Sequence, residues 1–361
     1  MNGTIAVGAG DGIGPEIIAE GVKVLKAVEK KYGHRFALNY FDIGGVSIDR
    51  YGTPLTEENM DVCRRSDAIL FGAIGGPKWD YPGAPVYTNV AGLRLRKDFD
   101  LYANIRPAKV YPGMEGCSPV RPDRVRGMDV IVVRENCGGT YFGQPKRRWV
   151  ENGKRMAVDT TSYSEEEVVR ILRVGYELAR SRRKKLASVE KSNVMDVGKL
   201  WRAIATELNR DYPDVELEHV LADACTMQLM RDPRHFDVLV MDNLFGDLIS
   251  DEAAGIAGSL GMGPSAQLAG SGAGTERLFG YYESIHGSAP DIAGKGIANP
   301  IATILSAAFL LKYTYRLDAE AEAIDRAVAA VLLRHRTRDI MEDGKTLVNT
   351  KEMGDLIAAA L

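Results

Sequence analysis

Two aspartates four residues apart, Asp247 and Asp251, follow a strand-like run that ends at Asp242 in VLVMDNLFGDLISDEAAG. An i, i+4 spacing sets both carboxylates on one face of a helix. Like charges held side by side repel unless a cation lies between them, and hard oxygen ligands favour Mg²⁺ or Mn²⁺. The plainer reading of the same pair is a solvated acidic face. Asp223, in LADACTMQL, stands alone after an apolar stretch and could supply a third oxygen ligand.

Three arginines form a second group: Arg96 in LRLRKDF, Arg106 in LYANIRPAK and Arg134 in DVIVVREN, the last two directly after strand-like runs. Ligands of open α/β sheets bind beyond the carboxyl ends of strands, and the guanidinium fork matches a carboxylate. A small polyanion is the implied ligand, against the alternative of ordinary surface ion pairs. Tyr141 in GGTYFG and Lys191 in SVEKSNV are flanked by Gly, Ser or Asn rather than set in a helical stripe. Lysine at a strand end can act as a base and tyrosine can return a proton, although a snorkelling lysine and a half-buried tyrosine look the same in sequence. Finally, HGSAPDIAGKGIANP (286–300) is rich in backbone donors and leads into a helix. It reads as an anion site in which Asp291 could accept a ribose diol, or as a plain turn.

These groups need elements to hold them. Strand-like runs (TIAVGAG, FALNYFDIG, DAILFGAIG, MDVIVVREN, KLASVEKSNV, FDVLVMDN) alternate with helical ones, the pattern of a largely parallel α/β architecture. Ser164 and Glu167 predict a capping box, followed by an apolar stripe of Val168, Val169, Ile171, Leu172, Tyr176 and Ala179. NPIATILSAAFLLKY predicts a buried helix with Asn299 as N-cap and Pro300 at its first position. The glycine-rich 269–280 reads as a flexible surface loop. A chain of 361 residues is long for one core, yet no linker is visible, so a second domain would be inserted into the first.

Composition excludes more than it selects. With 45% apolar residues, 26% charged residues and a net charge of −3, the chain offers no general field for nucleic acid. Four cysteines without C-x-x-C spacing suggest reduced thiols and a cytoplasmic protein. No apolar run approaches membrane-spanning length, and the N-terminus enters a strand without a signal-like segment.

The opening GAGDGIGPE (8–16) lies between a strand and a helix, where a dinucleotide fingerprint would stand. That fingerprint requires G-x-G-x-x-G. Here glycines occupy every second position, so Ile13 or Pro15 falls where the third glycine belongs. The match to the fingerprint fails in both registers.

Taken together, GDGIGPE, GGPKWD, YANIRPAKVYPG, VRENCGGTYFGQP, EKSNV, DNLFGDLISDE and HGSAPDIAGKGIANP make the whole chain resemble the β-decarboxylating dehydrogenase family. That family includes isopropylmalate, isocitrate, homoisocitrate and tartrate/D-malate dehydrogenases, and the chain is most similar to the isopropylmalate branch. The resemblance implies an α/β, isopropylmalate/isocitrate dehydrogenase-like two-domain fold, not a Rossmann fold, with the active-site cleft between the domains. It places 1–103 and 258–361 in a cofactor-binding domain and 104–257 in an inserted one. The implied reaction is NAD-dependent oxidative decarboxylation of 3-isopropylmalate to 4-methyl-2-oxopentanoate and CO₂, a step of leucine biosynthesis.

By the same resemblance, Arg96, Arg106 and Arg134 would clamp the substrate carboxylates, with Leu93 and Val194 as apolar wall. Tyr141 and Lys191 would be the proton-transfer pair, and Asp223, Asp247 and Asp251 would hold Mg²⁺ or Mn²⁺. NAD would contact Ile13, Gly75, Glu283, His286, Gly287, Ser288, Ala289, Asp291, Ile292 and Asn299. Lys191 and Asp223 would come from the partner subunit of a homodimer.

One segment departs from the isopropylmalate pattern. Where Glu-x-Gly-Leu-Leu-x-Leu-Arg is usual, this chain has Asn89, Val90, Ala91, Gly92, Leu93, Arg94, Leu95 and Arg96. The pocket is then larger, or more polar through Arg94, and a tartrate/D-malate or other 3-substituted-malate activity is the alternative. A non-catalytic regulatory subunit is a third reading, but it should lack part of the Tyr, Lys and Asp set, all of which is present.

Overall fold

The computed structural model describes residues 1–272 and 276–361. Its strands, in chain order, are β1 (Asn2–Gly10), β2 (Arg35–Tyr40), β3 (Ala68–Ala73), β4 (Ala103–Lys109), β5 (Asp129–Glu135), β6 (Arg147–Glu151), β7 (Lys154–Val158), β8 (Lys185–Glu190), β9 (Glu216–Leu221), β10 (Val238–Met241), β11 (Pro264–Leu268) and β12 (Gly280–Ser284). Apart from β6 and β7, which pair only with each other, these form one ten-stranded sheet in the order β2-β1-β3-β12-β11-β4-β5-β10-β8-β9.

The outer strands pair in parallel on both sides. At the centre, β12/β11, β11/β4 and β4/β5 are antiparallel, so the two parallel blocks run in opposite directions. The sheet is largely parallel, as expected, with an antiparallel centre where its direction reverses. The first and last parts of the chain supply β1–β3, β11 and β12 on one side, and the middle supplies β4, β5 and β8–β10 on the other.

That centre positions the site. Asn104 of β4 lies opposite both Arg134 of β5 and Gln267 of β11, and Glu283 of β12 lies opposite Ser265. Residues two apart on a strand share a face, so Arg106, Arg134, Gln267 and Glu283 all project from the same side of the sheet. Arg106 lies inside β4 rather than after it, as the sequence had suggested. Pro107 does not end the strand because β4 has lost its β11 neighbour after Ile105, where a missing N–H costs nothing.

Helix Asn243–Ile256 packs over this face, with Asp242 as N-cap: its Oδ1 accepts from Phe245 N at 2.8 Å. The predicted capping box is present on helix Glu165–Arg180, which buries Val168, Ile171, Leu172, Tyr176 and Ala179. The late helix runs Ile301–Phe309, and Pro300 takes the N-cap position expected for Asn299. Asn299 acts from one residue further out, its Oδ1 accepting from Ile301 N at 3.0 Å. The loop expected over 269–280 joins β11 to β12, and its residues 273–275 lie outside the described residues.

The alternating glycines of the first loop have a packing cause. Gly12 has φ +60°, and a Cβ there would lie 2.0 Å from Ser288 O. Ile13 N donates to that same carbonyl at 2.9 Å, so the early loop is laid directly against the late one. Asp11 is buried beneath them, accepting from Gly45 N, Val46 N and Gly75 N at 2.7–2.9 Å. These residues bind backbone to backbone, which is why the phosphate-loop spacing fails.

Candidate active site

A cleft of about 400 Å³ opens over the antiparallel centre of the sheet, lined on one side by Arg96, Arg106, Arg134, Tyr141 and Asp247 and on another by Ile74, Gly92 and Leu93. A wider surface depression of about 620 Å³, between Pro119 and Asp232, holds none of these groups.

Asp247 is the node. Its Oδ1 accepts from Arg134 and from Arg106 NH1 at 3.3 Å, and its Oδ2 accepts from the Tyr141 hydroxyl at 2.6 Å. Burial favours its neutral form, but the two guanidiniums and the tyrosine outweigh burial and hold the carboxyl below its ordinary range. Asp251, one helical turn on, lies 3.6 Å from Arg106 NH1. Its pKa is raised by burial and by the Asp247 charge, against the pull of Arg106. Asp247 and Asp251 thus set two carboxylates on one helix face, with Arg106 beside both.

Arg134 is almost fully buried, and its Nε and NH2 donate to Asn243 Oδ1 at 3.0 and 2.7 Å. Burial first, then the charges of Arg106 and Arg96, lower its pKa to about 9. It remains charged at neutral pH, and a bound carboxylate would relieve that repulsion. Tyr141 ends the short turn Gly139–Tyr141, with Arg134 over its ring at 5.5 Å. Burial and the hydrogen bond to Asp247 raise its pKa to about 12, so it keeps its proton.

Arg96 is oriented by residues that sequence reasoning missed. Its Nε donates to Gln267 Oε1 at 2.9 Å, and its NH2 lies 3.7 Å from Glu283 Oε1. Gln267 is itself held by Asn136 Nδ2 at 2.7 Å, and Glu283 by the Tyr281 hydroxyl at 3.0 Å. Glu283, expected at the cofactor, lines the cleft beside Arg96. Asn243 was within reach of the sequence, since it directly follows the strand-end Asp242, and Asn136 lies two residues after Arg134. Gln267 carried no local signal.

The late loop runs along the cleft edge through Ser284, His286 and Gly287. His286 is neutral at pH 7 because burial lowers its pKa, and its enclosed Nε2 has no hydrogen-bond partner. Ser288 is buried, while Asp291 is exposed and makes no bond among the described residues, so it caps no turn. Ala289 holds φ +40°. Ile13, Ile17 and Ala298 form a small apolar cluster with Ala289 and Ile292 packed on it. Gly75 N donates to Asp11 and Asn299 Oδ1 accepts from Ile301 N, so Gly75 and Asn299, like Ile13, brace the loops beside the cleft without lining it.

Three expected site residues stand apart from the cleft within one chain. Lys191, directly after β8, donates from Nζ to Asp223 Oδ1 at 2.7 Å, and the Asp223 side chain is 69% exposed. Val194 is 70% exposed. Among the described residues no three Asp, Glu, His or Cys side chains converge as a metal would need. Arg94 also stays out of the cleft, pairing with Glu57 and with Asp98 at 3.4 Å, so the pocket gains room rather than charge from this segment.

Residues 4–357 match the isocitrate/isopropylmalate dehydrogenase family. The chain belongs to that family. It is therefore an oxidoreductase, a β-decarboxylating dehydrogenase, with the fold of the isocitrate/isopropylmalate dehydrogenases. The chain is 51% identical over 360 residues to a 3-isopropylmalate dehydrogenase of Dehalococcoides mccartyi, covering 99% of both chains. It is 50% identical over 361 residues to one of Geobacillus kaustophilus, covering 100% of this chain and 96% of the relative. Among solved structures, an isocitrate dehydrogenase from Methylococcus capsulatus superimposes with a TM-score of 0.87 at 33% identity, covering 99% of each chain. A β-decarboxylating dehydrogenase from Thermococcus kodakarensis gives 0.76 at 35% identity, covering 99% of this chain and 95% of the other.

For this isocitrate/isopropylmalate dehydrogenase family member the two absent groups can be tested against the residues. The buried, unpartnered His286 Nε2 and the unpaired Asp291 carboxylate fit a nucleotide lying on the late loop. The paired carboxylates of Asp247 and Asp251 supply hard oxygens of the kind that suit Mg²⁺ or Mn²⁺. No helix of the described residues is long and apolar enough to cross a membrane.

Proposed function

We propose that this enzyme catalyses NAD-dependent oxidative decarboxylation of 3-isopropylmalate to 4-methyl-2-oxopentanoate and CO₂. The observation that carries this is the convergence of Arg96, Arg106, Arg134, Tyr141 and Asp247 on one cleft, with Asp251 3.6 Å from Arg106. The names of the relatives at about 50% identity support the same substrate.

The three arginines bind and orient the malate carboxylates, while Leu93 and Ile74 border the apolar substituent. Asp247 and Asp251, with Asp223 of a second subunit, hold Mg²⁺ or Mn²⁺, and the late loop from His286 to Asn299 holds NAD, with Asp291 accepting from the ribose diol. Bound there, these groups supply Lewis-acid polarisation and a hydride acceptor. Lys191 of the second subunit takes the hydroxyl proton. Tyr141 returns a proton to the carbon that has lost CO₂.

We read the working unit as a homodimer with shared sites, in which 1–103 with 258–361 and the inserted 104–257 form two domains. The pairing of Lys191 with Asp223 outside the cleft supports this. So do the exposed apolar Val194, Met227, Met230 and Leu248 on and beside helices Ala222–Arg231 and Asn243–Ile256. Four free cysteines, each with its thiol pKa raised by burial to about 12, fit a cytoplasmic location.

Steady-state kinetics with 3-isopropylmalate, D-malate, tartrate and isocitrate, each with NAD and NADP, test the reading. The highest kcat/KM is expected for 3-isopropylmalate with NAD, and a clear preference for any other acid would overturn it.

A further inference from the structure

Glycine is unfavourable in a helix interior, so a helical glycine calls for a cause. Most have an evident one here. An added Cβ would come within 3.1 Å of Thr303 at Gly21, 3.0 Å of Leu186 at Gly175, 2.6 Å of the Lys191 backbone at Gly198 and 2.5 Å of Arg134 at Gly246. Gly92, inside helix Asn89–Asp98, has no such neighbour. The nearest atom to its Cβ position is Ile74 Cδ1 at 4.0 Å, and its φ requires no glycine. Among the helix-interior glycines of the described residues only Gly255 shares that freedom, and it sits in the last turn of its helix.

Gly92 faces the cleft, and so do Asn89 and Arg96. Spaced i, i+3 and i+7, the three lie on one face of the helix. Arg96 marks the anion-binding end. Gly92 lies about 6 Å along the axis from it, and Asn89 about 4.5 Å further, at the exposed rim. Ile74 and Leu93 flank this track with apolar surface.

We infer that the missing side chain of Gly92 leaves a channel for a 3-substituent longer than isopropyl, running from Arg96 toward Asn89, so that the enzyme also acts on malates bearing an unbranched chain of roughly five carbons, which extends about 6 Å. The inference rests on the malate-type reading of the cleft. The reaction is the same: the C2 hydrogen leaves as hydride to NAD⁺, the C3–carboxylate bond breaks to release CO₂, the hydroxyl proton goes to Lys191 and a proton returns to C3. The products are the lengthened 2-oxo acid, CO₂ and NADH.

The test measures kcat/KM for 3-isopropylmalate and 3-pentylmalate in the parent, Gly92→Ala and Gly92→Leu, with thermal shifts on adding each malate as a separate readout of binding. The parent should use the two substrates within about tenfold of each other, and Gly92→Leu should lower the pentyl-to-isopropyl ratio by about tenfold or more, with Gly92→Ala between. Should Gly92→Leu fold poorly, Gly92→Ala decides, since its Cβ fits without contact and adds helix propensity. A parent that uses 3-isopropylmalate but has a ratio unmoved by either substitution overturns the inference. A parent that uses neither malate overturns the underlying reading instead.

Discussion

The Tyr141 hydroxyl donates to Asp247 Oδ2 at 2.6 Å, on the carboxylate whose other oxygen takes Arg134 and Arg106. The proposed proton carrier and the proposed cation-binding carboxylate are thus tied to one another and to the arginines of the proposed anion clamp. A change at any one of them is felt by the other two, which is why single substitutions here should be read through individual steps rather than overall turnover.

Tyr141→Phe removes only the hydroxyl. Loss of a positioned acid should lower kcat by about 10²-fold or more. Because the proton is needed after hydride transfer, a pre-steady-state burst of NADH should emerge in the variant. With its pKa near 12, the tyrosine should not set any alkaline limb of the parent below about pH 10. A variant that loses turnover without a burst would remove the tyrosine from the later step.

Shared sites can be tested by complementation. Lys191→Met and Tyr141→Phe should each be nearly inactive alone. Co-refolded in equal amounts, they should regain about a quarter of parental activity, because half of the dimers are mixed and each mixed dimer has one intact site. Additive activity with no gain would mean that each chain builds its own site.

Asp251→Asn takes one charged oxygen from the proposed cation site. The Mg²⁺ or Mn²⁺ concentration for half-maximal activity should rise at least tenfold, and calorimetric binding of Mn²⁺ to the variant should weaken to match. An unchanged metal requirement would rule out this aspartate as a ligand.

Asp291 is exposed and unpaired, and a 2′-phosphate beside it would meet a like charge. Asp291→Lys with Ile292→Tyr should move the ratio of kcat/KM for NAD over NADP toward NADP. A parent that already prefers NADP refutes the role given to Asp291.

Asp242 gives a pH signature of its own. Burial raises its carboxyl to about 6, whereas the unfolded chain leaves it near 3.9. A raised folded pKa means that stability is fully present below the unfolded value and is lost as pH rises through the folded one. Ionised Asp242 therefore costs up to about 3 kcal/mol at neutral pH. Asp242→Asn keeps an N-cap oxygen and lacks the titration. Relative to the parent, its Tm should rise between about pH 4 and pH 7. A constant Tm difference across that range would show that the carboxyl is not so buried.

Much of the site was legible because its residues sit beside strong local signals. Arg134, Lys191 and Asp247 follow apolar strand runs, and the i, i+4 aspartates advertise a shared face. The capping box at Ser164 and Glu167 was equally local. What could not be read depended on partners far apart in the chain. Gln267 orients Arg96 from 171 positions away, Glu283 lies beside that arginine from a distant strand, and the centre of the sheet is closed by the pairing of β4 with β11, far apart in the chain. Arg94 shows the converse: its charge was visible, but Glu57, 37 residues earlier, draws it out of the pocket.

The carbonyl of Ser288 that receives Ile13 N carries a consequence for synthesis. On a ribosome adding roughly 5–20 residues per second, that carbonyl follows Ile13 by tens of seconds. The first loop made is among the last completed, and until then Ile13 and Ile17 lack their cover. A chain stalled before the late loop leaves that apolar patch open, so the nascent enzyme should depend on holdase protection until its final quarter emerges, and premature-stop products should aggregate rather than persist as partial enzymes.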